Sequence, residues 1–470
     1  VVAAPSDVTL FFSAEVRGYI GPCGCSENMR GGIARSAYQV EEARRAGKKV
    51  HFIDCGDGLF DTLSIPEAAI PQQERKAQAL AAAWKKMGLE ARTGGPLDDA
   101  RGPAFRESLG LPELAAGSYE ILDGVALIHA PTLSAAKVLV PDATKAGGRF
   151  FVAVVPAPAD QLLRDAMDPS GIHLVIAAKS KDAFSAEESR LVGLGTKVAQ
   201  VQSKGRSLLE VSVHFRGDGS PEWLAGDGDR ARELASLDQR IELLRAQVNE
   251  PMLADALKAL RKAKLEEIIA RREALASAPI DVPADKSSVT ARFVPLESNF
   301  PRDPAVAEIE KQYDVDVGLI NLAWAEKHGV ACPPATAEKP GFVGSEVCSA
   351  CHPTAAAAWK STKHVKAYEA LVNVGKQHHL DCVSCHVLGW QQPQGVCRID
   401  QTENRREVGC ESCHGPGSLH LANPKAKGVM ALPKDATVCV SCHDKENSPQ
   451  FEFDSYVSKI VVPGHGLPVR

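Results

Sequence analysis

Short apolar runs recur along the first 220 positions and are separated by stretches with helical spacing. Val8 to Ser13, Lys49 to Asp54, Val125 to Ala130, Phe150 to Pro156, Ile172 to Ala178, Lys197 to Gln202 and Leu208 to Phe215 read as strands. Ile33 to Ala46 and Gln72 to Met87 read as helices between them. This alternation predicts an α/β domain with a layered sheet over residues 1–225. The period then changes. Leu234, Leu237, Ile241, Leu244 and Val248 follow three-four spacing, as do Leu253, Leu257 and Leu260 beyond Asn249-Glu250-Pro251. With the proline between them, these two runs predict an antiparallel helical hairpin in the connecting region 226–330. The hairpin is either a spacer packed on the α/β domain, which is the preferred reading, or a surface for a partner. Another helix, Ala305 to His328, leads to a linker rich in Pro and Ala, Ala331 to Pro340. From 340 to 470 the pattern loses its period, Gly, Pro and Ser are frequent, and one helix is expected from Pro353 to Val374.

Composition narrows the class. The 470 residues are 44% apolar and 24% charged, a globular mixture that excludes a disordered chain or a membrane bundle. No apolar run approaches the roughly 18 residues of a spanning helix. Lys and Arg number 54 against 59 Asp and Glu, a net −5 that implies no basic face for nucleic acid. Val1 to Pro5 lack a positive segment leading into a long apolar stretch, so any export signal is expected to have been removed already.

Cysteine is the informative residue. Nine of the 13 cysteines and nine of the 14 histidines lie in the last 130 positions, whereas disulfide scaffolding enriches Cys without His. Four units repeat there: Cys348-Ser-Ala-Cys351-His352, Cys382-Val-Ser-Cys385-His386, Cys410-Glu-Ser-Cys413-His414 and Cys439-Val-Ser-Cys442-His443. Each is C-x-x-C-H, the attachment signature of a c-type haem, for which this composition would give roughly 0.01 chance occurrences. A zinc site would be a closed set of four ligands rather than a repeated triad. A redox dithiol would normally occur once, in a βαβ setting. Two thiols on one helical turn add to the two vinyl groups of one haem, and the following His is placed under the iron as proximal ligand. Covalent tethering lets about 130 residues hold four haems around a modest core. His364, His378, His379, His420 and His465 are additional candidates for second axial positions. Two imidazoles on one iron suit electron transfer, whereas an empty position admits a ligand. Between 340 and 470 there are 13 basic and 12 acidic side chains, net +1, so eight haem propionates would make the loaded domain acidic and its partners basic or neutral.

Phe342-Val-Gly-Ser-Glu-Val-Cys348, Trp359-Lys-Ser-Thr-Lys-His364 and Val408-Gly-Cys410-Glu-Ser-Cys413-His414-Gly-Pro-Gly-Ser-Leu-His420 resemble the tetrahaem cytochromes c of the c-554 type, which accept electrons from hydroxylamine oxidoreductase. The resemblance covers residues 340–470. It implies close, partly stacked haem pairs, with His364 and His420 as distal ligands to haems other than those attached nearest in sequence. His465, in Lys459-Ile-Val-Val-Pro-Gly-His465, is the third distal candidate; His378 and His379 are left outside the ligand set. His328 and Cys332, just upstream, are a candidate ligand and a candidate disulfide partner for Cys397.

Gly31-Gly32-Ile-Ala-Arg35, Phe52-Ile-Asp54-Cys-Gly56-Asp57 and Lys86-Met-Gly88-Leu-Glu-Ala resemble the 5′-nucleotidase branch of the calcineurin-like metallophosphoesterases. This second resemblance implies an α/β/β/α layered fold whose strand ends hold two metals. The chain departs from that pattern. Asp-x-His-Gly is replaced by Ser13-Ala-Glu15-Val-Arg17-Gly18, and Gly-Asn-His-Glu by Gly94-Gly-Pro-Leu-Asp98-Asp99. The later strand ends read Ala177-Ala-Lys179-Ser180 and Gln202-Ser-Lys-Gly205, which leaves Asp57 alone at a ligand position. Loss of phosphatase chemistry is therefore expected. Cys23-Gly-Cys25 and Cys55 follow the first two strands, where α/β domains place ligands. They form either one disulfide with a spare thiol or a thiolate metal or redox site.

The whole reading is an exported, periplasmic electron-transfer protein with four c-type haems and an inactive phosphoesterase-like scaffold or docking module. Its partners would be redox proteins, with membrane association or a lipid anchor compatible. The alternative is an enzyme: a haem reductase acting on a small nitrogen or sulfur species at an open iron, or a residual phosphoesterase.

Overall fold

The computed structural model describes residues 6–22, 29–167, 171–179, 189–193, 195–217, 219–224, 227–248, 254–277, 282–433, 435–444, 447–448 and 451–461. Cys23, Cys25, Pro251, Leu253 and His465 lie outside these residues, so the expectations placed on them are not addressed by the fold.

Two six-stranded sheets face each other. The first has the order β11-β12-β10-β1-β2-β3, from β1 (Ser6–Ala14), β2 (Val50–Cys55), β3 (Leu89–Thr93), β10 (Ser207–Phe215), β11 (Glu222–Trp223) and β12 (Ser288–Pro295). The second has the order β4-β5-β6-β7-β9-β8, from β4 (Ser118–Leu122), β5 (Val125–His129), β6 (Phe150–Val155), β7 (Leu174–Ala177), β8 (Arg190–Val192) and β9 (Lys197–Gln200). Alternation on β1 divides its side chains between two cores. Val8, Leu10, Phe12 and Ala14 join the core between the sheets with Leu127, Val152 and Val211, while Phe11 turns outward. Outside the first sheet, Phe11 and Phe52 meet α1 (Ile33–Arg45), α2 (Ile70–Lys86) and α8 (Pro304–Lys327) through Ala37, Leu80, Trp84 and Val317. The short α3 (Pro103–Ser108) lies beyond β3 in sequence, and α4 (Leu133–Lys145) and α5 (Ala159–Asp165) cover the second sheet through Leu133 and Leu162. The layer order is α/β/β/α.

The sheet extends past the expected boundary at 225. β12 pairs antiparallel with β10, Val211 opposite Ala291, so α6 (Asp227–Val248) and α7 (Asp255–Ser277) form a helical hairpin inserted between two strands of one sheet. Leu237 and Ile241 are buried in it against Ile268, as half of the pattern predicts. Leu257 and Leu260 are instead 41% and 67% exposed, because the second helix turns Leu265, Ile268 and Ile269 toward the seam. No helix among the described residues is long and apolar enough to cross a membrane.

After α8, the chain becomes a set of short helices: α9 (Ser345–Cys351), α10 (Pro353–Lys360), α11 (Ala367–Val372), α12 (Leu380–His386), α13 (Cys410–His414), α14 (Ser418–Ala422) and α15 (Phe453–Ile460). The expected continuous helix from Pro353 to Val374 is broken. Ser361 and Thr362 donate their hydroxyls back to the carbonyls of Ala358 and Trp359, which ends α10, and a 3-10 turn, Lys363–Lys366, follows. The break puts His364 on a turn rather than a helix face. A disulfide joins Cys332 to Cys397 and ties the linker to this region.

Candidate functional site

Three of the four C-x-x-C-H units form a helical turn: α9 carries Cys348 and Cys351, α12 carries Cys382, Cys385 and His386, and α13 carries Cys410, Cys413 and His414. Cys439 follows a 3-10 turn whose start is capped by the Asp435 carboxylate accepting from Thr437 N. The units adjoin one another through their thiols. Cys348 meets Cys410, Cys385 meets Cys442, and the Cys413 thiol feels Cys439. The attachment sites therefore form a row: 348/351, 410/413, 439/442, 382/385.

Imidazoles from distant parts of the chain approach each other. His352 and His420 have ring centroids 6.2 Å apart with planes inclined by 27°, and His364 and His443 stand 6.2 Å apart with planes inclined by 49°. Two imidazoles bound to opposite faces of one metal, each through a bond of about 2 Å, have ring centres about 6 Å apart. The Nδ1 atoms are engaged elsewhere. That of His386 donates to Ala367 O at 2.6 Å, that of His414 to Ala431 O at 2.9 Å, and that of His443 lies 3.2 Å from Ser448 Oγ. A carbonyl only accepts, so Nδ1 carries the proton and Nε2 keeps its lone pair for a metal. Among the described residues no second imidazole is paired with His386 in this way.

A cavity of about 2870 Å³ runs beside these units, lined by Cys382, Cys385, His386, Cys413, Cys442 and His443. That is about three times the upper end of an ordinary small-molecule pocket. Paired thiols, metal-ready imidazoles and this volume together fit haem.

Neighbouring bonds fix the units, and sequence reasoning missed the residues that make them. Glu411 is 2% exposed, and its carboxylate accepts from the backbone N–H groups of Val343, Gly344 and Gly417 at 2.9, 2.8 and 2.7 Å. Ser345 Oγ accepts from Cys410 N, so the first and third units are tied together. The signal was present: only the third unit has a charged residue between its cysteines. His364 is anchored through its carbonyl, which accepts from Val408 N, while Trp359 Nε1 donates to Val408 O. His378 and His379 meet α8: the ring of His378 lies against Gly318. His379 is buried, its Nε2 lies 3.0 Å from Asp314, and its ring meets Tyr313 edge-on. His328 is exposed, stacks on Trp324 and bonds the Trp324 carbonyl through Nδ1.

At the carboxyl ends of β1, β2 and β3 there is a second polar cluster. Asp57, expected at a metal position, accepts from Leu97 N, and a Cβ on Gly95 would collide with its carboxylate. Asp98 accepts from Leu59 N and Gly95 N, and Ser13 donates to Asp54 at 2.7 Å. Arg92, fully buried and not anticipated, reaches Asp98 at 2.5 Å, Glu113 at 2.7 Å and Asp54 at 3.6 Å. Burial pushes Asp54 up to about 7 against the pull of Arg92, and Asp57 up to about 6. Glu15, Arg17 and Asp57 all take left-handed backbone conformations, with φ of 47°, 51° and 38°, so strain concentrates at this edge. Cys55 is wholly buried at the end of β2, and burial raises its thiol pKa.

Residues 347–415 match the family described as cytochrome c554 and c-prime. The C-terminal segment resembles cytochrome c554. Over 142 residues it is 41% identical to cytochrome c-554 of Nitrosomonas europaea, a match that takes in 27% of this chain and 60% of that protein's length. Among solved structures, a 5′-nucleotidase precursor from Thermus thermophilus is similar over 66% of this chain and 59% of its own, at 12% identity and a TM-score of 0.43. A calcineurin-like phosphoesterase from Bacillus subtilis is similar over 67% of this chain and 98% of its own, at 10% identity and a TM-score of 0.40. The c554-like segment implies c-type haem with its iron.

Proposed function

We propose that the chain is an exported, periplasmic multihaem cytochrome. It carries electrons through four haems held by Cys348/Cys351, Cys382/Cys385, Cys410/Cys413 and Cys439/Cys442, with His352, His386, His414 and His443 as proximal ligands. When bound, haem supplies a one-electron iron centre; the protein fixes its position, its axial ligands and its access to solvent. His420 and His364 would supply the second imidazole to the irons held by His352 and His443, and His465 remains the candidate for a third. The domains are the α/β module, 1–225 with the strand at 288–295 and the helix α8 packed on it, then the hairpin and connector, and 340–470. The carrying observation is the pair of 6.2 Å imidazole spacings, each between a motif histidine and a histidine from another part of the segment. The α/β module is hydrolytically inactive, because Arg92 occupies the carboxylates at the strand ends.

Haem quantitation and potentiometry test this reading. Four haems per chain and a titration spread over a wide potential range are expected; one haem and a single one-electron wave would overturn it. Metal-dependent nucleotide hydrolysis abolished by Asp57→Ala would overturn the inactivity of the α/β module.

Among the described residues no imidazole is paired with His386, which favours a second reading, reduction of a small nitrogen or sulfur species at that iron. A ligand-induced spectral change confined to this haem, with turnover, would favour it over simple carriage.

A further inference from the structure

The segment that leads into the second attachment unit is held by the α/β module rather than by its own domain. Gln72, on α2 and fully buried, accepts on Oε1 from Leu380 N at 3.0 Å and from Asn321 Nδ2 at 2.7 Å. Asn321, on α8 and 8% exposed, also donates to His378 O at 2.8 Å. His379 is the cap residue of α12, and its side chain is engaged by Asp314 of α8. At the rim, Lys76 of α2 pairs with Asp381 at 2.9 Å. The ring of His378 lies against Gly318, where a Cβ would come within 3.3 Å of it. α8 therefore provides an amide, a carboxylate and a gap, all within two turns, for consecutive residues of one loop.

Such bonding is costly for mere adhesion. Asn321 Oδ1 is buried with no hydrogen-bond partner among the described residues, and an apolar pair would join the same surfaces without that penalty. Buried amides give direction: they fix the backbone of 378–380 in one register against α2. That backbone is the first turn of the helix carrying Cys382, Cys385 and His386. The same module also walls the cavity with Tyr19, Phe60 and Tyr313.

We infer that the α/β module is the positioning element of the haem on His386, acting through Gln72 and Asn321. This inference rests on the multihaem reading. It assigns the module to the 382/385 end of the row of attachment sites, where Cys385 adjoins Cys442. The module orients the helix that carries this haem and leaves the other three haems to contacts within the C-terminal segment.

The test uses the full-length haem-loaded protein with Gln72→Leu, Asn321→Leu and Gln72→Glu, the last of which keeps an acceptor oxygen. Electron paramagnetic resonance and potentiometry are read together, and His386→Met identifies the component of this haem. In both leucine variants that component is expected to shift in spectrum and midpoint while the other three coincide with wild type; the glutamate variant should restore it. If the leucine variants do not fold, Lys76→Met at the rim must move the same component. Four unchanged components, or four that move together, would overturn the inference. A wild-type protein with fewer than four haems would refute the multihaem reading instead.

Discussion

Arg92 and Asp98 meet as a guanidinium–carboxylate pair at 2.5 Å, and neither side chain is exposed to solvent. Burial alone would lower the pKa of Arg92, but Asp98, Asp54 and Glu113 outweigh it and keep the guanidinium charged. The pair sits at the carboxyl ends of β2 and β3 among Asp54 and Glu113, so one fixed positive side chain does the neutralising. Removing it leaves buried carboxylates uncompensated. Arg92→Leu should lower the stability of the α/β module by about 3–5 kcal/mol, the usual loss on breaking a buried pair. Denaturant unfolding followed by circular dichroism measures it, and Asp98→Asn in the same chain should recover part of the loss.

A pH dependence follows from the same cluster. Asp54 and Asp57, raised to about 7 and about 6 from the ordinary 3.8, bind their protons more tightly in the folded chain than in the unfolded one. Their contribution is complete below about pH 4 and is lost as pH rises through 6 and 7. Asp54→Asn keeps an acceptor for Ser13 and cannot ionise, so it should flatten this decline. Melting temperatures of wild type and variant should diverge between pH 5 and 8, with the variant gaining at the alkaline end. A constant difference would exclude Asp54 as the titrating group.

The sequence readily disclosed whatever repeats or alternates. All seven strands read from apolar runs form, because each buries side chains in a sandwich core. Four attachment units were visible because their chemistry fixes the spacing. Less legible were elements stabilised by distant partners. β12 reads as a mixed segment, Ser288 to Pro295, and is a strand because β10 offers it a full register. Nothing in the sequence singled out Arg92, whose partners Asp54, Asp98 and Glu113 are separated from it by 6 to 38 positions. Gln72 sat in a plausible helix with nothing to show that its amide faces Leu380, 308 positions away.

Glu411 gives a third expectation. Its carboxylate takes three backbone N–H groups and is nearly inaccessible to water. Glu411→Ala orphans all three donors, at about 1–3 kcal/mol for each group left unsatisfied. The variant should unfold its C-terminal segment at lower denaturant, with the spectra of the haems on the first and third units perturbed before the others. Uniform perturbation of all four would argue against a local clamp.

The Cys332–Cys397 bond closes a sequence separation of 65 residues around the first two attachment units. Loop closure of that length contributes about 4 kcal/mol in the chain-entropy account, and 2–4 is typical. Cys332→Ser with Cys397→Ser should lower the unfolding midpoint of the C-terminal segment by a corresponding amount and leave the α/β module nearly unchanged. Equal loss in both would mean that they unfold as one unit.

The axial pairs provide the most discriminating expectation. His420 lies six positions after His414, yet its ring stands 6.2 Å from that of His352, which belongs to the first unit. His364 follows the first unit closely and stands opposite His443 of the fourth. On the proposed reading each distal histidine would serve a haem other than its neighbour in sequence, and such crossing would bind the short helices together where their apolar core is small. Loss of either ring should open one iron and one only. In His420→Ala, a low-spin ferric signal should be replaced by a high-spin one, and the altered haem should be that on Cys348 and Cys351, identified by peptide mapping of an exogenous ligand's photolabel or by its absence in His352→Met. In His364→Ala the altered haem should be that on Cys439 and Cys442. If His420→Ala instead altered the haem on Cys410 and Cys413, pairing would follow sequence proximity and the crossed arrangement would be wrong.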